Sequence, residues 1–218
     1  MVEAATNHPV LHRNLVLFQS NRLKKTYSDF VKSERFKKLT DFFFDDVYSP
    51  EDKTERDHQF KSLYEFFRSK LGESLTRGIG ELVELNDLSR ELDLELLDAL
   101  AKIRREETFD EKDYEEGYRR CENYKVRVRQ IEMLGRSIRY FRSLAERRTI
   151  GIVLKTVLSA ASLLGGRVVI GFLKRGYDAY RSVTTEEAEE FVRAVEERER
   201  ARLDRIYRRP KWESLPRW

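Results

Sequence analysis

Apolar side chains recur every three or four residues along most of the chain, a spacing typical of amphipathic α-helices. The first predicted helix covers residues 8–32, and its apolar positions are Leu11, Leu15, Phe18, Leu23, Tyr27 and Phe30. A second helix is predicted to begin at Ser33. Six more are predicted over residues 54–70, 73–106, 111–147, 149–164, 167–182 and 184–208. The pattern therefore predicts an all-α fold, a single-domain helical bundle of about eight helices over residues 1–209.

Residues with strong local preferences mark several helix ends. Thr184 followed by Glu187 forms a capping box, which predicts the start of the last helix. Ser33 is predicted to cap the second helix. Pro210 ends the last helix and leaves a C-terminal tail, residues 210–218, that contains both tryptophans. Because two exposed indole rings are unfavourable in water, we expect the tail to dock, on the protein's own surface rather than on a partner.

The composition restricts the class of protein. Charged residues make up 38% of the chain, with only 10 Gly and 4 Pro, so collagen-like and typical all-β chains are excluded. One cysteine, Cys121, and three histidines exclude an intramolecular disulfide and a Cys/His zinc cluster. The apolar run over residues 156–166 is shorter than the roughly 20 residues that span a membrane. We therefore expect a cytoplasmic protein with no transmembrane segment.

Charge is distributed unevenly, although the net charge is only +4. Residues 1–40 carry 8 basic and 3 acidic side chains, residues 41–116 carry 11 and 23, and residues 117–218 carry 24 and 13. An acidic middle between basic ends favours attraction between segments of the folded chain. The same distribution could present a charged face to a partner, so a protein partner and a nucleic acid both stay open.

The fifth predicted helix has a strongly basic side, because residues 119–148 contain ten Arg or Lys against three Glu. Tyr114, Tyr118 and Tyr124 lie on or near this segment and could stack on bases while the arginines contact phosphates. No helix-turn-helix, zinc-finger or RNP-like motif accompanies them. We expect these tyrosines to form the half-buried face of the helix, with nucleic-acid binding as the weaker alternative.

The densest group of polar residues follows three consecutive phenylalanines at positions 42–44. In a structural interpretation, carboxylates near a helix N-terminus interact favourably with its dipole, and Asp52 pairs with Arg56. In a functional interpretation, the group binds a small ligand, or Mg²⁺ or Ca²⁺ through oxygen ligands, although the spacing matches no EF-hand loop. The candidate ligand-binding residues are Asp46, Tyr48, Asp52, Arg56, Asp57 and Tyr177.

Five segments resemble motifs of a family of uncharacterised bacterial proteins of similar length. Phe42–Asp57 resembles the signature FF-x-x-D-x-Y-x-P-x-D-x-x-x-R-D. Leu88–Asp93 resembles L-S-x-x-L-D, Tyr114–Tyr118 a pair of tyrosines, Phe172–Tyr180 the segment F-L-x-x-G-[FY]-x-A-[FY], and Glu197–Glu199 an R-E pair. The resemblance spans nearly the whole chain. It implies a bacterial, all-helical protein and brings no activity with it.

Three functions follow from these patterns. The favoured one is a non-enzymatic helical bundle that acts as an interaction or regulatory module. The main alternative is a small-molecule- or metal-binding bundle, with or without catalysis, whose polar site lies around residues 46–57. The third is nucleic-acid binding through residues 119–148. The sequence identifies no catalytic residue and no cofactor, and it leaves a homodimer open.

Overall fold

The regular structure is entirely helical in the computed structural model, which describes residues 8–47, 73–103, 107–147, 151 and 167–208. These residues form eight α-helices and one π-helix. The predicted all-α class is therefore confirmed. Outside the described residues lie the predicted third helix (54–70), nearly all of the predicted sixth helix (149–164) and the C-terminal tail (210–218).

The N-terminal part of the chain forms more and shorter helices than its apolar spacing predicts. Its elements are α1 (Pro9–Thr26), α2 (Ser28–Val31), α3 (Lys37–Asp41) and the π-helix π1 (Phe42–Val47). The predicted single helix over residues 8–32 is wrong, because the backbone leaves helical geometry at Tyr27. At this position the Tyr27 ring packs near Phe191 and its hydroxyl donates to Glu199. Tertiary contacts thus override the local helical preference.

The predicted start of the second helix at Ser33 is also wrong. The Ser33 backbone N–H donates to the carbonyl of Phe30, so Ser33 lies just after the last turn of α2 and does not begin a new helix. Residues 34–36 form a turn, and α3 begins at Lys37 without a side-chain cap. The physical reason is the buried ring of Phe36, which stacks edge-on against Phe30 and fixes the turn between α2 and α3.

The three consecutive phenylalanines lie in π1, and each is at most 6% exposed. Each ring has a neighbour on a different part of the bundle: Phe42 packs on Phe172, Phe43 on Phe191, and Phe44 on Tyr27. An α-helix directs successive side chains about 100° apart, whereas the wider π-turn allows this whole run to be buried.

Five longer helices complete the described bundle: α4 (Glu73–Ile103), α5 (Glu111–Cys121), α6 (Tyr124–Glu146), α7 (Arg167–Arg181) and α8 (Thr185–Ile206). The prediction of one continuous helix over residues 111–147 is wrong. Glu122 adopts a left-handed φ of 51° and ends α5. The Tyr207 hydroxyl holds this break, since it donates to the Tyr118 carbonyl at 2.7 Å and lies 3.1 Å from Oδ1 of Asn123.

Capping boxes define the starts of two helices. Thr184 and Glu187 form the predicted box of α8, with each side chain accepting a hydrogen bond from the other residue's backbone N–H. Asp110 and Asp113 form an equivalent box at the start of α5. Each box satisfies backbone donors that the first turn of a helix otherwise leaves unpaired. The start of α8 at the predicted position is confirmed.

The helices enclose two apolar clusters. α8 packs along α6, while α4 packs on both α5 and α6. The first cluster includes Leu23 of α1 and Val195 of α8, together with the rings of π1. The second includes Leu15 of α1 and Leu203 of α8, together with leucines of α4. Both α1 and α8 contribute residues to the two clusters. The part of α1 between Leu15 and Leu23, and the part of α8 between Val195 and Leu203, therefore lie at the middle of the bundle.

Candidate functional site

The predicted polar cluster is described only at its first residue, Asp46, which lies near the end of π1. Its carboxylate accepts hydrogen bonds from Nε of Arg175 on α7, at 2.8 and 3.0 Å. The Asp46 side chain is 16% exposed and that of Arg175 is 57% exposed. Outside the described residues lie Tyr48, Asp52, Arg56 and Asp57. A ligand or metal site at residues 46–57 therefore stays a prediction.

The segments that begin with Phe42 and with Phe172 come together where π1 meets α7. A methyl group on Gly176 would lie 2.9 Å from the Phe42 ring, so the glycine permits this close contact between the two elements. Tyr177, the remaining candidate, is half-buried beside the first apolar cluster, and the Arg181 guanidinium lies 5.6 Å from its ring centre. Both described candidates therefore take part in contacts that hold α7 in place.

The basic side of residues 119–148 is extensively paired within the protein. Arg139 on α6 binds both Glu189 and Glu196 of α8, at 2.7 and 2.9 Å. Arg129 pairs with Glu84 on α4. Hydrogen bonds to both glutamates raise the pKa of Arg139 above its ordinary value. The Arg129–Glu84 pair realises the expected attraction between the acidic middle segment and the basic C-terminal segment. All three pairs reduce the positive charge available to a nucleic acid.

The three tyrosines of this region are not displayed for base stacking. Tyr114 is 0% exposed and Tyr118 is 8% exposed, and the Tyr114 hydroxyl donates to that of Tyr118 at 3.1 Å. The Tyr124 hydroxyl donates to Asp204 at 2.6 Å. The expectation that these residues belong to the inner face of the helix is confirmed for Tyr114 and Tyr118.

A group of polar side chains lies between the two apolar clusters and includes two tyrosines of the second cluster; we refer to it as the buried polar layer. It draws on five helices. Its members are Gln19 and Arg22 of α1, Ser89 and Asp93 of α4, Tyr114 and Tyr118 of α5, Arg127 and Gln130 of α6, and Glu199 of α8. Polar groups inside a bundle are costly unless they are paired, so their contacts indicate what this layer can do.

Arg22 and Glu199 form the strongest pair of the buried polar layer. Nη1 of Arg22 lies 2.6 Å from each carboxylate oxygen of Glu199, and the Tyr27 hydroxyl donates to the same carboxylate at 2.9 Å. Burial alone would lower the pKa of Arg22, but Glu199 and the nearby phenols of Tyr114 and Tyr118 hold it above its ordinary value. The Arg22 guanidinium therefore stays charged and forms a charge-assisted contact with Glu199.

Arg127 is the most deeply buried charged residue of the layer, at 4% exposure. Its Nη2 donates to the backbone carbonyl of Leu92 at 2.7 Å, and its guanidinium lies 4.6 Å from the centre of the Tyr118 ring. The carboxylate of Asp93 is 3.9 Å away and also accepts a hydrogen bond from Gln19. The guanidinium charge is therefore only partly compensated by the carboxylate beside it.

Three segments that carry the family resemblance converge in this layer. Ser89 and Asp93 come from L-S-x-x-L-D, Glu199 comes from the R-E pair, and the two tyrosines form the third segment. Their grouping could not be predicted, because they lie on three helices whose packing the periodicity does not specify. The one feature of the sequence that pointed to this layer is Arg22, a charged residue next to Leu23 at the edge of an apolar stripe.

A second feature is a row of carboxylates on the outer side of α4, which we refer to as the acidic face. Its members recur every three or four residues and are all exposed: Glu84, Asp87, Glu91, Glu95 and Asp98. Glu84 pairs with Arg129, and Glu95 accepts a hydrogen bond from Asn123. The other three form no ion pair within the part of the chain that the structure describes. The row is about 21 Å long at 1.5 Å per residue.

Among the described residues, no group of three or more His, Cys, Asp or Glu side chains is placed to hold a metal ion. No helix in the described ranges is both long and apolar enough to cross a membrane.

The fold and these features define the class of protein, an all-α bundle with a charged interior layer and an acidic outer face. A family model matches residues 3–212, so the chain belongs to the family described as Domain of unknown function (DUF8198). No match was found among curated proteins or among solved structures. The expected membership of an uncharacterised family along nearly the whole chain is therefore confirmed.

Proposed function

We propose that the protein is a bacterial, cytoplasmic, non-enzymatic interaction module that binds a lysine- or arginine-rich segment of a partner protein through the acidic face of α4. The observation that carries this proposal is the row of five exposed carboxylates on one side of a single helix. Such a surface recognises positively charged segments. The attraction between opposite charges selects the partner and also increases the rate of association.

The acidic face carries an energetic cost that a basic partner would relieve. Like charges three or four residues apart destabilise a helix by a few tenths of a kcal/mol for each pair. Elsewhere in the described bundle, opposite charges are brought together, as in Arg139 with Glu189 and Arg198 with Asp29. Asp87, Glu91 and Asp98 lack such partners among the described residues, so an external cation would neutralise them without breaking any ion pair of the described part of the chain.

The length of the acidic face sets the size of the partner segment. An extended peptide advances about 3.3 Å per residue, so about seven residues cover the distance from Glu84 to Asp98. A fluorescein-labelled peptide of about seven lysines is therefore a suitable probe, and its anisotropy reports binding at low ionic strength. Binding that depends on surface charge must weaken as salt is added.

Matched variants distinguish binding at the acidic face from nonspecific attraction to the net charge of the protein. The test variant combines Asp87→Asn, Glu91→Gln and Asp98→Asn. The control combines Glu34→Gln, Glu122→Gln and Glu197→Gln, which are exposed carboxylates elsewhere and give the same change in net charge. At about 0.5–1 kcal/mol for each lost charge, the test variant should bind the peptide roughly 10- to 100-fold more weakly. The control should change affinity by less than about 3-fold.

Two outcomes would contradict the proposal. Equal loss of affinity in the test and control variants would mean that net charge, rather than the acidic face, governs binding. A labelled single-stranded oligonucleotide that binds more tightly than the peptide, with a steep salt dependence, would favour the basic side of residues 119–148 instead. Under that result the acidic-face variant should bind the oligonucleotide at least as well as the unmodified chain.

A further inference from the structure

The C-terminal segment of the chain, which we define as residues 208–218, continues directly from the end of α8. We infer that this segment folds back over the acidic face of α4 in the same molecule and competes there with a basic partner. The inference rests on the proposed function, because it assigns a regulator to the same binding surface. Residues 209–218 lie outside the described residues, and the contacts of Tyr207 and Arg208 determine where the segment begins.

The end of α8 lies beside one residue of the acidic face. The Tyr207 hydroxyl lies 3.1 Å from Oδ1 of Asn123, and Nδ2 of the same asparagine donates to Glu95 at 2.5 Å. The Tyr207 ring also packs edge-on against Tyr124, with 5.4 Å between the ring centres. Arg208 then adopts a left-handed φ of 53°, which turns the chain out of the helix axis. The segment therefore begins where a single side chain, Asn123, bridges Tyr207 and the acidic face.

The segment is long enough to cover the acidic face. Measured along α4 at 1.5 Å per residue, Glu95 lies about 17 Å from Glu84 and about 5 Å from Asp98. The 11 residues of the segment extend up to roughly 36 Å at 3.3 Å per residue. About half of this length is needed to run along α4 from Glu95 to Glu84, so the other residues can cover the distance from the end of α8.

The charge of the segment is opposite to that of the acidic face. The segment contains four basic residues, Arg208, Arg209, Lys211 and Arg217, against one acidic residue, Glu213. Three of the five carboxylates of the acidic face have no ion-pair partner within the described part of the chain. A tethered segment has an effective concentration on the order of millimolar, so weak, exposed ion pairs suffice to hold it. A partner has to displace the segment, so the protein selects partners that carry more positive charge than the segment does.

The segment also contains both tryptophans of the chain, Trp212 and Trp218. Leu88 lies within the acidic face, between Glu84 and Glu91, and it is half-buried. An indole ring that packs on this leucine leaves water, while the neighbouring basic side chains contact the carboxylates on either side. Docking on α4 therefore accommodates the aromatic residues of the segment as well as its charges.

Tryptophan fluorescence tests the inference in the full chain, because the only two tryptophans lie in the segment. Acrylamide quenching is measured at low ionic strength for the unmodified chain and for two variants. The acidic-face variant combines Asp87→Asn, Glu91→Gln and Asp98→Asn, and the control variant combines Glu34→Gln, Glu122→Gln and Glu197→Gln. Each protein is measured at two concentrations, because docking within one molecule does not depend on protein concentration.

We expect the quenching constant of the acidic-face variant to exceed that of the unmodified chain about 2-fold or more, because a released segment exposes its indole rings to acrylamide. The control variant should lie within about 20% of the unmodified chain. Sodium chloride should raise the quenching constant of the unmodified chain towards that of the acidic-face variant, since salt screens the ion pairs. None of these values should change with protein concentration.

Peptide binding tests whether the docked segment competes with a partner. A variant with a neutral segment combines Arg209→Gln, Lys211→Gln and Arg217→Gln. Its matched control combines Lys25→Gln, Lys32→Gln and Lys38→Gln, which replace exposed lysines elsewhere and give the same change in net charge. The variant with the neutral segment should bind the lysine peptide at least about 3-fold more tightly than its control, because the competing charges are gone.

Three results would overturn the inference. Equal quenching in the acidic-face variant and its control would mean that the tryptophans do not dock on α4. A quenching constant that falls as the protein concentration rises would mean that the segment docks on a second copy of the chain. Equal peptide affinity of the neutral-segment variant and its control would mean that the segment does not compete. In each case the proposed function stands if the acidic-face variant binds the peptide more weakly than its control, and fails if it does not.

Discussion

Nη1 of Arg22 on α1 lies 2.6 Å from both carboxylate oxygens of Glu199 on α8, although the two residues are 177 positions apart in the chain. The pair therefore joins the first and the last described helices. Leu15 and Leu23 on α1, and Val195 and Leu203 on α8, flank it on either side. A slide of one helix along the other would break the pair and displace residues of both apolar clusters, so this contact fixes the register of α1 on α8.

Loss of the Glu199 charge should be strongly destabilising, because it leaves the buried Arg22 without its counter-ion. We expect Glu199→Gln to lower the free energy of unfolding by about 2–4 kcal/mol, somewhat below the range for a fully buried pair. The exposed neighbour variant Glu197→Gln should change it by less than about 0.5 kcal/mol. Urea unfolding followed by circular dichroism measures both. Similar values for the two variants would show that the pair has no special role.

Close packing between π1 and α7 predicts that alanine substitutions at two glycines of α7 have opposite effects on stability. A methyl group at Gly176 would meet the Phe42 ring at 2.9 Å, so Gly176→Ala should destabilise the protein by about 1–3 kcal/mol. At Gly171 the methyl group would meet only the end of the flexible Arg175 side chain. Gly171→Ala should therefore stabilise α7 by up to about 1 kcal/mol. If both variants are stabilised, the Phe42 contact does not constrain the helix.

The break between α5 and α6 provides a stabilising substitution. Glu122 has a φ of 51°, a conformation that costs a residue with a side chain about 1 kcal/mol and that glycine adopts freely. We expect Glu122→Gly to raise the melting temperature. Arg136→Gly, at an exposed position within α6, should lower it, because glycine costs about 1 kcal/mol inside a helix. Destabilisation by Glu122→Gly would indicate that α5 and α6 form one helix in solution.

Burial raises the pKa of the Tyr114 phenol well above its usual value near 10. The folded state therefore favours the protonated phenol. Its contribution to stability is complete below the pKa of the unfolded chain and is lost as the pH rises through the raised pKa of the folded state. Above about pH 10, stability should fall by up to roughly 1.4 kcal/mol per pH unit for this one group.

Tyr114→Phe removes this titrating group. The free energy of unfolding of the variant should therefore fall less steeply with pH than that of the unmodified protein. Urea unfolding between about pH 8 and about pH 11 gives the two slopes. The Tyr207 phenol, whose pKa burial raises to about 12, provides a second alkaline group and should act in the same direction. Parallel slopes for the two proteins would mean that Tyr114 ionises as readily in the folded state as in the unfolded one.

The parts of the fold that could be predicted depend on local physics. The apolar stripe predicts a fourth helix over residues 73–106, and α4 covers Glu73–Ile103. The Thr184–Glu187 capping box likewise gives the start of α8. The breaks at Tyr27 and Glu122 could not be predicted in this way. Both depend on partners that are far away in the chain, Glu199 for the first and Tyr207 for the second.

The same distinction applies to the candidate sites. The charge asymmetry correctly predicts that acidic and basic segments attract each other, as Arg129 and Glu84 show. Charge counts do not specify which carboxylates find partners, so the exposed row on α4 emerged only from the structure. Arg127 illustrates the same limit: on the sequence it belongs to a basic stretch, yet its guanidinium lies inside the bundle against Tyr118. Burial of a charge depends on tertiary packing.

Carboxyl footprinting shows residue by residue whether a basic peptide binds to the acidic face of α4. The protein is labelled with a carbodiimide and an amine, with and without the lysine peptide, and the labelled carboxylates are identified by mass spectrometry. We expect the peptide to protect Asp87, Glu91 and Asp98 on α4, while the exposed Glu34 and Glu197 stay equally reactive. Protection spread evenly over all exposed carboxylates, or absent from α4, would contradict the proposal that this helix binds a basic partner.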